Sequence, residues 1–336
     1  MELSAGGQVC LRFNRYGSTP PNMPRQIASK ASAGKDVVNI QKQATTTLPT
    51  QQWSRKQQPL PIVILPGFGN ATRDYVAPFG KPDDSLTSVL LRRGIQSFVV
   101  PIERKDWFRV GRMVLTMDFY RGRCTTHPGY SWYLERVKET VNAAVSSSGS
   151  GKVILVGHSA GGWLARAFLG QVEYREDAVD SDEEDPHQSV AGLVTLGTPH
   201  FPPPALSKVK CMTGGALGWV NDRWPGAYYS SKGVSYVCVT STAIKGDQYA
   251  DKRSLAGYSA GSYRQVAGSG HGVEGDAVVP MHSALLDGAE HIILREALHS
   301  MSRVRTFEEP AVEPWYGSDC VIDEWLDVAM QAVQKT

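Results

Sequence analysis

The sequence predicts an α/β fold in which a mostly parallel central sheet is flanked by helices. Short, wholly apolar runs rich in β-branched residues recur from residue 60 onward, as expected for strands that are buried on both faces. Helical patterns alternate with these runs, and strands that are joined through helices pair in parallel. The predicted strands cover Pro61–Pro66, Ile95–Ile102, Lys152–Val156, Val190–Leu196, Val234–Thr240 and His291–Arg295.

Four segments between and after these strands predict helices: Asp83–Arg93, Tyr130–Val145, Ala160–Gly170 and Cys320–Val333. In the last of them the apolar residues fall on one helical face. For the first helix we expect Asp83 or Asp84 as the N-cap and Gly94 at the C′ position, because these residue types favour the two helix ends.

Three segments interrupt the alternation of strands and helices. Phe201–Gly233 is rich in Pro, Gly and aromatic residues, and it predicts a loop-rich, lid-like insertion. Gly246–Gly270 is polar and Gly-rich without a clear period, and we interpret it as a second insertion. The acidic run Asp180–Asp185 predicts a solvated surface loop, since runs of like charge usually stay in water.

Overall composition excludes several classes of protein. The 336 residues are 41% hydrophobic, enough for one large domain or at most two, and the net charge of +2 gives no global attraction for nucleic acid. The apolar runs are far shorter than the roughly 18 residues that span a bilayer. The five cysteines form no C-x-x-C pair, the histidines lack metal-ligand spacing, and no G-x-G-x-x-G follows a strand. We therefore expect neither a metal nor another cofactor.

The first 58 residues differ in composition from the rest. Residues 1–60 hold eight basic residues but only Glu2 and Asp36 as acids, and they are rich in Ser, Thr, Gln and Pro. Such a segment buries too little apolar surface to fold. We interpret residues 1–58 as a disordered leader with the composition of an organellar transit peptide, plastid before mitochondrion, and residues 59–336 as the folded domain. A disordered cytosolic extension is the alternative.

Residues 157–162, Gly-His-Ser-Ala-Gly-Gly, join a predicted strand directly to a predicted helix. In such a turn Ser159 must adopt strained backbone angles, and a side chain at Gly157 or Gly161 would collide with neighbouring chain. The strain holds the Ser159 hydroxyl at the carboxyl edge of the sheet, and the Ala160 amide points at any oxyanion formed there. A Gly-rich turn with an incidental serine is the alternative interpretation.

This motif, with His158 before the serine, resembles the nucleophile elbow of the α/β-hydrolase superfamily in a lipase- or esterase-like version. The resemblance covers about residues 60–336 and is closest to plant- and cyanobacterial-type hydrolases that carry Gly-His-Ser-Ala-Gly-Gly-Trp-Leu-Ala-Arg, as at residues 157–166 here. It implies a catalytic triad in the chain order Ser, acid, His. The same sheet hosts lipases, acyltransferases and the lipase-like part of enzymes that deacylate glycolipid anchors.

The resemblance places the histidine in the loop just past the final strand, where His299 lies. His291 begins that strand, at the opposite edge of the sheet from the expected site. His282 and His271 are interpreted as supporting or surface residues. His200 belongs to the segment Leu196-Gly-Thr-Pro-His200, which is also lipase-like and which we interpret as a structural turn.

Two residues compete for the place of the acid. Asp276 sits in Gly-Asp-Ala-Val-Val-Pro, which is similar to the segment around the acid of many lipases, and we favour it. Asp247 follows the strand Val234–Thr240 more closely and stays as the alternative. Asp287 precedes the last strand and so lies at the wrong edge of the sheet.

The second oxyanion donor is expected from the loop after the first predicted strand. Leu65-Pro-Gly-Phe-Gly takes the place of the family's His-Gly-x-x segment, so the amide of Phe68 is the best candidate beside that of Ala160. Pro66 replaces the histidine of that segment, which leaves open which amide points inward.

These residues predict a serine carboxylic-ester hydrolase that works through an acyl-enzyme on a lipid or other hydrophobic ester. A serine acyltransferase and a ligand receptor without turnover are the alternatives. Aromatic residues in or beside loops are candidates for lining an acyl pocket: Phe68, Trp107, Phe108, Trp219, Trp224, Tyr228 and Tyr229. The expected partner is a small-molecule or lipid ester, with no nucleic acid and no transmembrane segment. Peripheral membrane contact is compatible with the sequence, which makes no prediction of oligomeric state.

Overall fold

The computed structural model describes residues 59–171, 185–303 and 309–335. Pro59–Thr336 form one compact unit. The leader over 1–58 and nearly all of the acidic run 180–185 lie outside the described residues, and both stay predictions. In the described part of the chain, no helix is long and apolar enough to cross a membrane.

Six parallel strands form the central sheet, in the order β2-β1-β3-β4-β5-β8. A short antiparallel ribbon pairs β6 with β7. In the sheet, β2 pairs with one side of β1 and β3 pairs with the other side. The carboxyl ends of β1 and β3 therefore flank the switch point where such folds bind ligands. The strands are β1 (Ile62–Leu65), β2 (Ser97–Val99), β3 (Val153–His158), β4 (Val190–Leu196), β5 (Ser235–Ser241), β6 (Ile244–Lys245), β7 (Glu274–Gly275) and β8 (Glu290–Leu294).

Helices cover both faces of the sheet. The α-helices are α1 (Arg73–Val76), α2 (Leu86–Arg92), α3 (Met117–Arg121), α4 (Ser131–Ser148), α5 (Ala160–Leu169), α6 (Ala216–Arg223), α7 (Leu255–Ala267) and α8 (Asp323–Lys335). A long 3-10 segment, Arg104–Leu115, precedes α3. The predicted fold class is confirmed, and the six predicted strands are found with their ends displaced by no more than three residues.

Alternate side chains of each strand enter two separate cores. Val63 of β1 packs in one core with Leu164 of α5 and side chains of α4. Ile64, the next residue, packs in the other core with Trp325 of α8 and side chains of α2. This alternation follows from the two-residue period of a strand, and it explains why the β1 sequence is apolar throughout.

The prediction for the start of α2 was wrong. Ser85 is the N-cap, and its Oγ accepts a hydrogen bond from the Ser88 amide at 3.1 Å. Asp83 and Asp84 instead lie in a 3-10 turn that Pro82 begins. Gly94 follows the helix with φ 74°, as predicted for the C′ residue.

The second insertion contains a helix that the sequence did not predict. In α7 most positions are Ala, Gly, Ser or Tyr, so its buried face is thin and gives little periodic signal; that face is formed by Ser259, Ala260 and Tyr263. The Ser254 Oγ caps the helix by accepting from the Gly257 amide at 3.1 Å. The lid-like insertion likewise contains α6 between irregular segments.

Candidate active site

Ser159 forms the turn between β3 and α5 with φ 52° and ψ −124°. Positive φ in a residue with a Cβ costs on the order of 1–3 kcal/mol, and it persists only where the surrounding structure enforces it. β3 ends at His158 and α5 begins at Ala160, so this single residue reverses the chain at the carboxyl edge of the sheet. The predicted strain is present.

Close packing explains the small residues around Ser159. A Cβ on Gly157 would overlap the main chain of Gly162, and one on Gly161 would overlap the carbonyl oxygen of Leu65 in β1. The main chain of β1 and the start of α5 therefore approach each other more closely than any side chain permits. The predicted collisions at Gly157 and Gly161 agree with this packing.

His299 and Asp276 form a buried hydrogen-bonded pair. Nδ1 of His299 lies 2.8 Å from Oδ2 of Asp276, and the His299 amide donates to the Asp276 carbonyl at 2.9 Å. Asp276 has no exposed surface and His299 is 8% exposed. Because an ionised carboxylate only accepts, Nδ1 of His299 carries a proton, and in the neutral form of the imidazole Nε2 keeps its lone pair.

Four donors surround the Asp276 carboxylate. Oδ1 accepts from the amides of Val278 at 3.0 Å and Val279 at 2.7 Å, and Oδ2 accepts from His299 and from the Tyr316 hydroxyl at 2.8 Å. Burial raises the pKa of Asp276, but the charge of His299 and the hydrogen bonds lower it by more, so the pKa of Asp276 lies below its ordinary value. The carboxylate is thus ionised at neutral pH, as a partner that orients an imidazole must be.

His158 connects the Ser159 turn to the His299 loop. Its Nε2 lies 2.6 Å from the His299 carbonyl oxygen, and its Nδ1 lies 2.7 Å from the Tyr75 hydroxyl. Since a carbonyl only accepts, Nε2 donates, and Nδ1 then accepts from Tyr75. The Tyr75 oxygen in turn accepts from the Gly67 amide at 3.2 Å. Burial, and secondarily the charge of His299, lower the pKa of His158 to about 3, so this imidazole is neutral.

The fold gathers Ser159, His299 and Asp276 at one edge of the sheet. The ring centroids of His158 and His299 lie 4.9 Å apart, and Ser159 is the chain neighbour of His158. Gly197, which follows β4, lies against the acid–base pair: a Cβ there would overlap Oδ2 of Asp276 and stand 3.1 Å from Nδ1 of His299. Ser159 and Gly197 directly follow the adjacent strands β3 and β4, and their neighbours bring His299 and Asp276 to the same edge of the sheet.

The rival candidates lie elsewhere. Asp247 pairs with Nδ1 of His271 at 3.3 Å, and both side chains are about half exposed. His291 bonds the Leu286 carbonyl through Nε2 at 2.7 Å. His200 is buried against the Thr195 hydroxyl at 3.2 Å, and burial holds the pKa of His200 well below its ordinary value. None of these three histidines contacts Asp276.

The two candidate oxyanion amides flank Ser159. Ala160 begins α5, and the Phe68 loop approaches so closely that a Cβ on Gly67 would lie 2.8 Å from Cβ of Ser159. In residues 59–171, 185–303 and 309–335, neither the Ala160 nor the Phe68 amide donates to a protein acceptor, whereas the Ser159 amide donates to the Leu196 carbonyl at 2.9 Å. Both amides therefore keep a donor that the described part of the protein does not use.

A cavity of about 250 Å³ adjoins Ser159. Its walls are mainly apolar and come from α5, the Phe68 loop, both insertions and the strand-connecting segment before β8; they include Phe68, Val110, Tyr130, Trp163, Phe201, Met212, Leu217 and Val279. A larger depression of about 930 Å³ is lined by polar and charged residues such as Arg73 and Arg136, and it contains none of the candidate site residues. The apolar cavity is thus the one that adjoins the candidate nucleophile.

The list of predicted pocket aromatics was mostly wrong. Of the seven only Phe68 lines the cavity, while Trp107, Trp224 and Tyr229 belong to the core and Phe108 is 86% exposed. Tyr130 and Trp163 line it instead, and both also pack in the core. Tyr75 and Tyr316 were also missed, because no motif marks a tyrosine whose partner is far away in sequence.

The parallel sheet and its flanking helices form an α/β fold with a strained serine turn at the carboxyl edge of the sheet. Residues 130–249 match the PGAP1-like alpha/beta domain. The matched stretch contains Ser159 and ends before Asp276 and His299. No curated relative matches the chain.

Several solved structures are similar to this chain at low sequence identity. The lipase BlEst2 of Bacillus licheniformis, in mature form, is 14% identical over 85% of this chain and 95% of its own, with a TM-score of 0.46. The metagenomic carboxyl esterase MGS0156 is 14% identical over 83% and 77%, with a TM-score of 0.47. The carboxylesterase Cest-2923 of Lactobacillus plantarum is 13% identical over 83% and 86%, with a TM-score of 0.39.

Proposed function

We propose that the protein is a serine carboxylic-ester hydrolase with Ser159 as nucleophile, His299 as general base and Asp276 as the group that orients His299. The observation that carries the proposal is the 2.8 Å bond from Nδ1 of His299 to the fully buried Asp276, beside a serine held at positive φ. A bond of this kind leaves Nε2 free to take the proton of a nearby hydroxyl.

The first half-reaction forms an acyl-enzyme. Oγ of Ser159 attacks the ester carbonyl carbon while Nε2 of His299 takes the hydroxyl proton. The amides of Ala160 and Phe68 donate to the oxyanion of the tetrahedral intermediate. As the intermediate collapses, Nε2 returns the proton to the leaving alkoxide, which departs as an alcohol.

The second half-reaction releases the acid. A water molecule gives its proton to Nε2 of His299 and attacks the acyl carbon, and the same two amides hold the new oxyanion. Collapse breaks the bond to Oγ, and Ser159 regains the proton from Nε2. Asp276 stays ionised throughout, since its role is to hold the Nδ1–H tautomer and to stabilise the imidazolium.

The cavity supports an apolar acyl group as the part of the substrate that the protein recognises. Its walls beside Ser159 are apolar and aromatic side chains, which bind hydrocarbon without unpaired polar groups. A volume of about 250 Å³ lies below the ~300–1,000 Å³ of common small-molecule sites. We therefore propose esters of short or medium acyl chains, with a longer chain extending out of the cavity.

Turnover of p-nitrophenyl esters by matched variants tests the assignment. Ser159→Ala, Asp276→Asn and His299→Gln are each expected to lower kcat by about 10³-fold or more, as losses in such triads do. Asp247→Asn and His271→Gln are the controls, because they alter a second Asp–His pair that is exposed and away from Ser159. Wild-type turnover in any of the first three variants would remove that residue from the mechanism.

Fluorophosphonate labelling, combined with measurements of turnover and product, separates a hydrolase from a receptor and from an acyltransferase. A hydrolase is labelled at Ser159 and turns over repeatedly. A receptor gives one slow turnover and retains its product, and an acyltransferase forms a new ester when an alcohol acceptor is supplied. Repeated release of free acid is the result we expect.

For residues 1–58 we propose a role in import into plastids. The support is compositional: eight basic residues against two acids in the first 60, together with many Ser and Thr. A fluorescent reporter fused behind residues 1–58 should enter plastids in plant cells. A reporter that stays in the cytosol or enters mitochondria contradicts the assignment.

A further inference from the structure

Exposed apolar side chains stand at the mouth of the Ser159 cavity and on two segments that supply its walls. Phe68 and Met212 line the cavity and yet are 58% and 68% exposed, so they stand at its opening. Residues 104–123 and 203–212 supply the wall residues Val110 and Met212. These two segments also carry large apolar side chains that are exposed to solvent: Phe108, Leu115, Met117, Tyr120 and Leu206. Grouped exposure of this kind marks an interaction surface, whereas single exposed apolar residues do not.

Contacts at or just beyond the ends of these two segments hold them next to each other. The Cys124 amide donates to the Gly214 carbonyl at 3.0 Å, and the ring of Phe119 packs against Gly214 so closely that a Cβ there would overlap it. The Phe68 ring lies 5.1 Å from that of Trp107 between centroids. Residues 104–123 and 203–212 together are called the rim.

The rim is strongly basic, unlike the rest of the domain. It contains eight basic residues and only two acids, Asp106 and Asp118. Residues 61–336 hold 27 basic and 31 acidic residues, and with the rim removed the counts become 19 and 29. Asp106 is buried and pairs with Arg136 at 2.6 Å, so its charge is already compensated.

Most cations of the rim face solvent without a partner. Among the described residues, five exposed rim cations form no ion pair: Arg112, Arg121, Arg123, Lys208 and Lys210. A surface that combines unpaired cations with protruding hydrocarbon matches the boundary layer of an anionic bilayer, where cations meet phosphate groups and apolar side chains reach the acyl region. The phosphates of a nucleic acid would pair with the cations, but the apolar side chains of the rim would stay exposed to water.

We propose that the rim is a docking surface for bilayers that contain anionic lipid, and that docking places the mouth of the Ser159 cavity against the membrane. Arg112, Arg121 and Arg123 contact headgroups, and Phe108, Leu115 and Leu206 insert. The docking itself is independent of the proposed hydrolase activity; only the delivery of an acyl chain to Ser159 rests on that activity.

Vesicle flotation with the full chain tests the docking. The Ser159→Ala background prevents any hydrolysis of the lipid, and vesicles are phosphatidylcholine alone or with one-third phosphatidylglycerol. Arg112→Glu/Arg121→Glu/Arg123→Glu should weaken binding to the anionic vesicles at least tenfold, since each basic residue near such a surface contributes about 1 kcal/mol. Phe108→Ser/Leu115→Ser/Leu206→Ser should weaken binding and make the remainder more sensitive to salt.

Matched controls come from parts of the domain away from the rim. Lys152→Glu changes an exposed lysine before β3, at the amino edge of the sheet, and Leu91→Ser changes an exposed leucine of α2, which packs on the other core. Both should bind as the parent does. The basic leader is present in every protein compared, so differences report on the rim.

Three results would overturn the docking surface. They are equal binding to both kinds of vesicle, rim variants that bind like the controls, and a preference of the rim for RNA or an acidic polypeptide over anionic vesicles. Turnover of a soluble acetyl ester by the rim variants with Ser159 intact separates the two proposals: docking fails alone if turnover persists without vesicle binding, and the hydrolase fails alone if vesicles bind without turnover.

Discussion

The hydroxyl of Tyr75 donates a 2.7 Å hydrogen bond to Nδ1 of His158, the residue before the candidate nucleophile. This bond is the centre of a buried chain that runs from the Gly67 amide through Tyr75 and His158 to the main chain of His299. These hydrogen bonds join the Phe68 loop, the Ser159 turn and the His299 loop. Neither Tyr75 nor His158 is itself one of the proposed reacting groups.

Tyr75→Phe should lower kcat while KM changes little. The substitution leaves Nδ1 of His158 and the Gly67 amide without their partner, which costs about 1–3 kcal/mol of stability and loosens the Phe68 loop. We expect kcat for a p-nitrophenyl ester to fall about tenfold, as a misplaced oxyanion donor contributes less. Tyr236→Phe is the control, because it removes another buried hydroxyl, which accepts from the Tyr229 amide away from the site. A loss of kcat as large in Tyr236→Phe would mean that lost stability alone explains the result.

Tyr316→Phe should shift the pH dependence of kcat/KM. Without the Tyr316 hydroxyl, Oδ2 of Asp276 loses a donor that stabilises its ionised form, so the pKa of Asp276 rises. The hydrogen-bonded pair of Asp276 and His299 then takes up a proton more readily, and because activity requires an ionised carboxylate and an unprotonated Nε2, the acid limb of the profile moves to higher pH. Tyr263→Phe is the matched control, since the Tyr263 oxygen accepts from the Ala277 amide and donates nothing to Asp276. An unmoved acid limb in Tyr316→Phe counts against the role of this phenol.

His158 should make the free energy of unfolding fall as the pH is lowered. Its pKa is about 3 in the folded protein against 6.5 in the unfolded chain, so between these values the unfolded chain binds more protons. The contribution of His158 to stability is complete above pH 6.5, is reduced by about 2 kcal/mol at pH 5 and continues to fall toward pH 3. Urea unfolding of the parent and of His158→Asn from pH 7 to pH 5 measures the difference. Equal slopes in the two proteins would contradict the low pKa.

Two glycine-to-alanine substitutions should have opposite effects. In a helix, alanine is favoured over glycine by about 0.5–1 kcal/mol. Gly261→Ala in α7 should give that gain, because nothing lies within 4 Å of its added Cβ. Gly161→Ala in α5 should instead cost about 2 kcal/mol or more, because the Cβ overlaps the Leu65 carbonyl in the buried strand β1. Thermal or urea unfolding of both variants measures these changes in stability. A stabilised Gly161→Ala protein would contradict the close packing of Gly161 against Leu65.

Phe201→Ala should extend the range of acyl chains accepted. Phe201 lines the cavity from the lid-like insertion and is only half-buried, so its truncation enlarges the cavity at a modest cost in stability. Across p-nitrophenyl esters of increasing length, we expect the optimum of kcat/KM to move to longer chains, with the acetyl ester little affected. Trp219→Ala is the control, because Trp219 packs against the same core without lining the cavity. The same shift of the optimal acyl-chain length in Trp219→Ala would show that the change does not arise from enlarging the cavity.

Local sequence determined the features that depend on neighbours in the chain. The apolar runs of β1, β3 and β4 predicted buried strands, since a strand covered on both faces has no polar position. The spacing of Gly157, Ser159 and Gly161 predicted the strained turn, because the collisions that require glycine act over a few residues. The start of α2 and the existence of α7 were missed, because a proline turn precedes α2 and the buried face of α7 consists of small side chains.

Tertiary structure alone decided which side chains meet Asp276 and His299. Asp276 and His299 are 23 residues apart in sequence, Asp276 and Tyr316 are 40 apart, and Tyr75 and His158 are 83 apart. The crossovers of the parallel sheet bring these residues to one edge, and no local pattern records which hydroxyl lies beside which carboxylate. The sequence alone therefore predicted the candidate nucleophile and a short choice of partners, and the packing of distant loops determined which of them meet, because hydrogen bonding depends on distances in space rather than along the chain.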